Sequence, residues 1–161
     1  MEKRLGLDDI LPEDYVGVKC PVVPVEGNRM PNPRLISELI ECGKYFSEHG
    51  WAPEYPVKGT DKKGSSGNLG FRDERGIFVT ATATDLKKLI PLDFVPIVYV
   101  DHETNPPTFY HQRSGDRKPT SEYLAYDRIF NDSNKLVILH AHDRLTTRWA
   151  QIVEHFFPDM V

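Results

Sequence analysis

Two short strands separated by only Asp73-Glu-Arg-Gly76 constrain this chain more than any other stretch. Asn68 to Arg72 and Ile77 to Ala81 read as strands, and the link between them ends in glycine, a hairpin signature. So short a connection joins antiparallel neighbours, because a parallel pair needs a crossover of about a dozen residues or more. Further strands are expected at Phe94 to Val100 and at Thr108 to Gln112. Pro96 lacks the N–H that a ladder needs, so the first of these must be an edge strand or carry a bulge.

Helices must cover such a sheet. Asn32 is a good N-cap and Pro33 suits the first helical position. Leu35, Ile36, Leu39, Ile40, Gly43 and Phe46 then share one face, and Gly50 ends the helix. A second helix is expected over Ser121 to Phe130, capped by Thr120 or Ser121, with Leu124 and Arg128 on one face. Leu136 to His140 is a continuous apolar run, as a central strand covered on both sides would be. Thr146 to Phe157 is amphipathic, with Trp149, Ile152, Val153, Phe156 and Phe157 as its inner stripe. Residues Pro53 to Gly67 are polar and glycine-rich, and read as a loop. The apolar run Val16 to Val25 is an edge strand or an arm laid on a neighbouring subunit. The order of elements predicts an α/β sandwich around a mixed or antiparallel sheet.

Composition narrows the function classes. At 161 residues the chain fits one domain. Its net charge of −4 and scattered basic pairs leave no nucleic-acid footprint. No apolar run approaches the roughly 20 residues of a membrane span, and the charged start MEKRLGLDDI is unlike a secretory signal. A cytoplasmic protein is expected, with Cys20 and Cys42 as free thiols.

The residues that carry chemistry lie between Lys118 and Asp143. Side chains alternate along a strand, so His140 and His142 point the same way, as two ligands of one ion must. Glu122 precedes them by one helix and a return strand, enough to bring a carboxylate to the same place. Two imidazoles and a carboxylate suit zinc or a similar divalent metal.

Four motifs stand in a fixed order: Ser66-Gly-Asn-Leu-Gly-Phe-Arg72, Ile77-Phe-Val-Thr-Ala-Thr-Ala83, Lys118-Pro-Thr-Ser-Glu122 and His140-Ala-His142. Together they resemble the class II aldolase/adducin family, which includes L-fuculose phosphate and L-rhamnulose phosphate aldolases. The resemblance implies a three-layer α/β/α domain with a mostly antiparallel sheet. It would span residues 1–161 as a single domain, with 1–31 as an N-terminal arm. It also implies a divalent metal, usually zinc, on His140 and His142. Glu122 would be both a ligand and the catalytic acid/base, and Gly67, Asn68, Thr82, Thr120 and Ser121 would be phosphate-binding positions. The implied activity is a metal-dependent lyase acting on a small phosphorylated sugar or related carbonyl compound, in a homo-oligomer. A non-catalytic binding module of the adducin kind, or an epimerase or dehydratase on the same scaffold, are the alternatives.

The sequence departs from the family pattern at Ala81 and Ala83, which stand where a loop proline and glycine are expected. The family's third histidine has no counterpart in a matching context. His155, His102 and His111 are the remaining weak candidates for it.

Overall fold

The computed structural model describes residues 20–57, 59–112, 115–134 and 136–142. A six-stranded sheet runs through them in the order β1-β7-β6-β5-β4-β8. The strands are β1 (Val22–Val25), β4 (Asn68–Asp73), β5 (Gly76–Thr80), β6 (Phe94–Asp101), β7 (Thr108–Gln112) and β8 (Val137–His140). Four of its five pairings are antiparallel, and β1 joins β7 in parallel. Among the described residues two α-helices accompany it, α1 (Pro33–Glu48) and α2 (Tyr123–Asp132).

The β4–β5 hairpin forms as its turn chemistry predicts. Asp73 Oδ1 accepts from the Arg75 N–H at 2.8 Å across the turn, and Asp73 Oδ2 accepts from the Asn32 N–H at 3.0 Å. The hairpin tip is therefore tied to the start of α1. There the Asn32 side chain caps the helix by accepting from Arg34 N, and Ile36, Leu39 and Gly43 are buried. Pro96 lies in β6, which is central, and the strand accommodates it with a register shift between Ile97 and Tyr99.

Alternation along β4 and β5 divides the core into two clusters. Leu69, Phe71 and Phe78 pack with Ile36 and Leu39 of α1, with Phe71 and Phe78 stacked 5.0 Å apart. Val79, Ile97 and Phe109 pack with Tyr123, Tyr126 and Phe130 of α2. The molecule is thus α/β with a mostly antiparallel central sheet. No helix among the described residues is long and apolar enough to cross a membrane.

Four expectations need correction. Among the described residues the strand ending at His140 is not central: β8 lies at the edge of the sheet, and its residues alternate between exposed and half-buried. The polar stretch Pro53 to Gly67 contains a two-stranded hairpin, β2 (Glu54–Pro56) with β3 (Lys63–Ser65), held by pairing rather than by apolar burial. Neither Thr120 nor Ser121 caps α2; Glu122 occupies the cap position, and no side chain caps it. The helix α2 runs over Tyr123–Asp132 rather than Ser121 to Phe130; its buried face is Tyr123, Tyr126, Asp127 and Phe130, and partly buried Leu124 and exposed Arg128 share another. Within the run Val16 to Val25, Val22–Val25 form a strand beside β7, and residues 16–19 lie outside the described residues. The amphipathic stretch Thr146 to Phe157 and His155 lie outside the described residues.

Candidate metal centre

Backbone pairing assembles the site. Beyond β5, Ala81 bridges to Pro119, Thr120 N donates to Thr80 O at 3.0 Å, and Thr82 N donates to Lys118 O at 2.9 Å. This clamp sets the start of α2 beside the end of β5 and points Glu122 toward the sheet edge. On the other side β8 pairs with β4 so that His140 stands opposite Asn68. The approach is close: a Cβ on Gly67 would lie 2.5 Å from the His140 carbonyl oxygen, so only glycine fits there.

Glu122, His140 and His142 converge, each offering a ligand atom, and the three atoms lie within 4.8 Å of one another. His140 Nδ1 and Asn68 Nδ2 both hydrogen-bond Glu122 Oε2, the amide at 2.5 Å. Glu122 Oε1 faces His142 Nε2 at 3.7 Å, too far for a hydrogen bond. The His142 side chain is 42% exposed, yet its Nε2 atom is enclosed and has no hydrogen-bond partner. An enclosed imidazole nitrogen without a partner, beside a second imidazole and a carboxylate, fits a divalent cation.

Burial of Glu122 opposes its ionisation, but the His140 and His142 imidazoles and the Asn68 amide outweigh it and hold the carboxyl far below the ordinary carboxylate range. The hydrogen bond that His140 donates to Glu122 raises His140 above the usual imidazole value, against its partial burial. Glu122 also sits at the positive end of α2, which favours its negative charge. Beside the three residues opens a cleft of about 530 Å³, lined by Ser121, Tyr126, Ile138 and the site residues themselves.

The other candidates fall in different places. Thr82 and Ser121 are exposed near the start of α2, and Thr120 is buried. The Thr82 hydroxyl donates to Pro119 O at 2.8 Å, and Thr120 Oγ1 accepts from Glu122 N at 3.5 Å. Asn68 is buried between Tyr126 and Glu122. Neither His102 nor His111 joins the cluster. His102 Nε2 pairs with Asp127 at 2.9 Å, and His111 is buried in β7 with its Nδ1 3.0 Å from Gln112 O.

Two residues of the neighbourhood escaped the sequence reading. Tyr126 lies four positions after Glu122 on the same helical face, a spacing that could have marked it. Tyr55 projects from the β2–β3 hairpin, and its phenol is raised by burial and by the negative charge of Glu122. An isolated tyrosine in a polar stretch gave no such signal.

Residues 37–160 match the family described as the class II aldolase and adducin N-terminal domain. The chain is 28% identical over 123 residues to a methylthioribulose-1-phosphate dehydratase of Pseudoalteromonas translucida (strain TAC 125), covering 76% of this chain and 50% of that protein. Among solved structures, an L-fuculose 1-phosphate aldolase superposes with a TM-score of 0.49 at 24% identity, over 73% of this chain and 48% of the other. YgbL from Klebsiella pneumoniae gives 0.49 at 19% identity, over 69% and 45%. The chain spans about half the length of the relatives it matches.

Proposed function

Because this chain belongs to the class II aldolase and adducin family, we propose that it works as a divalent-metal-dependent lyase on a small phosphorylated sugar or related carbonyl compound. The observation that carries the proposal is the convergence of Glu122, His140 and His142, with their ligand atoms within 4.8 Å. In this reading the two imidazoles and the carboxylate hold the ion, with zinc the expected metal. When bound, such an ion supplies Lewis-acid polarisation of the substrate's carbonyl and hydroxyl oxygens. The domain is a three-layer α/β/α sandwich, and its cleft beside α2 takes the substrate.

Glu122 is the proton carrier. Its ionised carboxylate stands at the cleft and takes a proton from the substrate during bond breaking, then returns one to carbon. The phosphate lies at the start of α2, where first-turn N–H groups are unpaired within the helix. Gly67, Asn68, Thr82, Thr120 and Ser121 are the positions assigned to the phosphate in this reading. Ser121 is exposed, whereas the Thr82 hydroxyl donates to Pro119 O and the Asn68 amide donates to Glu122.

Aldol cleavage is the leading reaction, and dehydration is favoured as the second by similarity to a methylthioribulose-1-phosphate dehydratase. Incubation with a panel of sugar phosphates separates them. Cleavage yields two carbonyl fragments, whereas dehydration keeps the carbon chain and releases water. On whichever substrate is consumed, Glu122→Gln should lose at least about a hundredfold in turnover. Elemental analysis should find one zinc-like ion per chain, absent from the His140→Ala, His142→Ala double variant. A wild-type protein with neither metal nor conversion would point instead to a binding module.

A further inference from the structure

Tyr126 is buried to 2% exposure in the second core cluster, yet its phenol is aimed at the metal centre. Its hydroxyl hydrogen-bonds Asn68 Oδ1 and lies 3.1 Å from the Asn68 carbonyl oxygen. Gly70 makes room for the ring: a Cβ there would stand 3.2 Å from Tyr126 Cδ2. A side-chain amide has one oxygen and one NH2 group, and the two ends are nearly the same shape. A phenol that donates to Oδ1 favours the arrangement in which the other end, Nδ2, donates to Glu122 Oε2 at 2.5 Å. A flipped amide would set its oxygen against an ionised carboxylate, lose the Glu122 hydrogen bond, and turn its NH2 on the phenol, which would then accept instead of donate.

We propose that Tyr126 is a positioning residue for Glu122, locking the Asn68 amide so that its N–H holds the carboxylate between His140 and His142. The inference rests on the reading of these three residues as a metal centre, and it assigns a role to a side chain that acts on the ligand set through Asn68. Anchoring occurs through the core: α2 carries Glu122 and Tyr126 one turn apart, and Asn68 of β4 spans them. Partners that orient a metal ligand typically matter by about ten- to a hundredfold in metal affinity.

The test uses the whole chain in wild-type, Tyr126→Phe and Tyr123→Phe forms. Tyr123 is a matched control: it is equally buried on the same helix, but its hydroxyl has no hydrogen-bond partner. Cobalt(II) titration, followed by its visible spectrum, should show at least about tenfold weaker binding in Tyr126→Phe and no change in Tyr123→Phe. Nitrogen-15 NMR of metal-free wild type should place the Asn68 side-chain amide among hydrogen-bonded, slowly exchanging NH2 groups. That signature should vanish in Tyr126→Phe and persist in Tyr123→Phe. A wild-type Asn68 amide that exchanges freely, or one unaltered in Tyr126→Phe, would overturn the proposal without depending on metal. If wild type takes up no cobalt, the metal reading fails, and the amide signals alone decide the role of Tyr126.

Discussion

Ala83 has φ of 58°, the left-handed region that costs a residue with a β-carbon about 1–2 kcal/mol. It stands where the family pattern has glycine, so the backbone turn is kept although the residue that relaxes it is not. Ala83→Gly should raise thermal stability by about 1 kcal/mol or less, because the freer unfolded chain offsets part of the relief; calorimetry of the two proteins checks this. Glu122 and His140 give a pH signature in the metal-free protein. The Glu122 carboxyl is depressed, so its contribution is present above the unfolded value near 4.3 and is lost as pH falls. His140 is raised, so its contribution is full below the unfolded value near 6.5 and is lost as pH rises through its folded value. The stability gap between wild type and His140→Ala should therefore be widest between about pH 4.3 and 6.5, as melting curves across that range would reveal. The convergence of Glu122, His140 and His142 was legible from their spacing, although β8 ends at His140 and His142 lies just past it, so strand alternation accounts for only part of the placement. Tyr126 was not, because an aromatic on an inner helical face reads as packing until its hydroxyl partner is seen.

The elements show where pattern and environment part company. The helix α1 and the β4–β5 hairpin follow from caps, periodicity and turn residues, which act within a few positions. The apolar run of β8 cannot say how many neighbours the strand has, since an open edge and a buried centre can share one composition. Likewise the β2–β3 hairpin is short and built of polar residues and glycine around Tyr55, so no apolar period announces it. Close contact between β4 and β8 also rests on one atom's worth of space at Gly67. Gly67→Ala would push against His140 O and against Ala52, whose Cβ a new methyl would meet at 3.0 Å. This variant should weaken metal binding more than it lowers the melting temperature, measured by cobalt titration beside calorimetry. The reverse order would mean that the strand yields elsewhere and leaves His140 in place.

At the level of the molecule, two strands end the sheet among the described residues, β1 and β8, and both carry apolar side chains. A sheet edge offers backbone N–H and C=O groups to a second chain, so a homo-oligomer is expected at micromolar concentration, and light scattering that returns the mass of one 18.4 kDa chain would refute it. How the sheet is bordered lay beyond the sequence, because strand order is set by contacts between distant residues. That border has a further consequence. Two of the three candidate ligands belong to the outermost strand or the residues just after it, while Glu122 belongs to α2. Any ion gripping all three acts as a clasp between a sheet margin and a helix. Ligand that prefers the closed arrangement stabilises it by mass action. Zinc should then slow deuterium uptake at the β8 amides, Val137 to His140, while leaving those of the β4–β5 hairpin turn unchanged, so that the strand's own breathing becomes the gauge of occupancy.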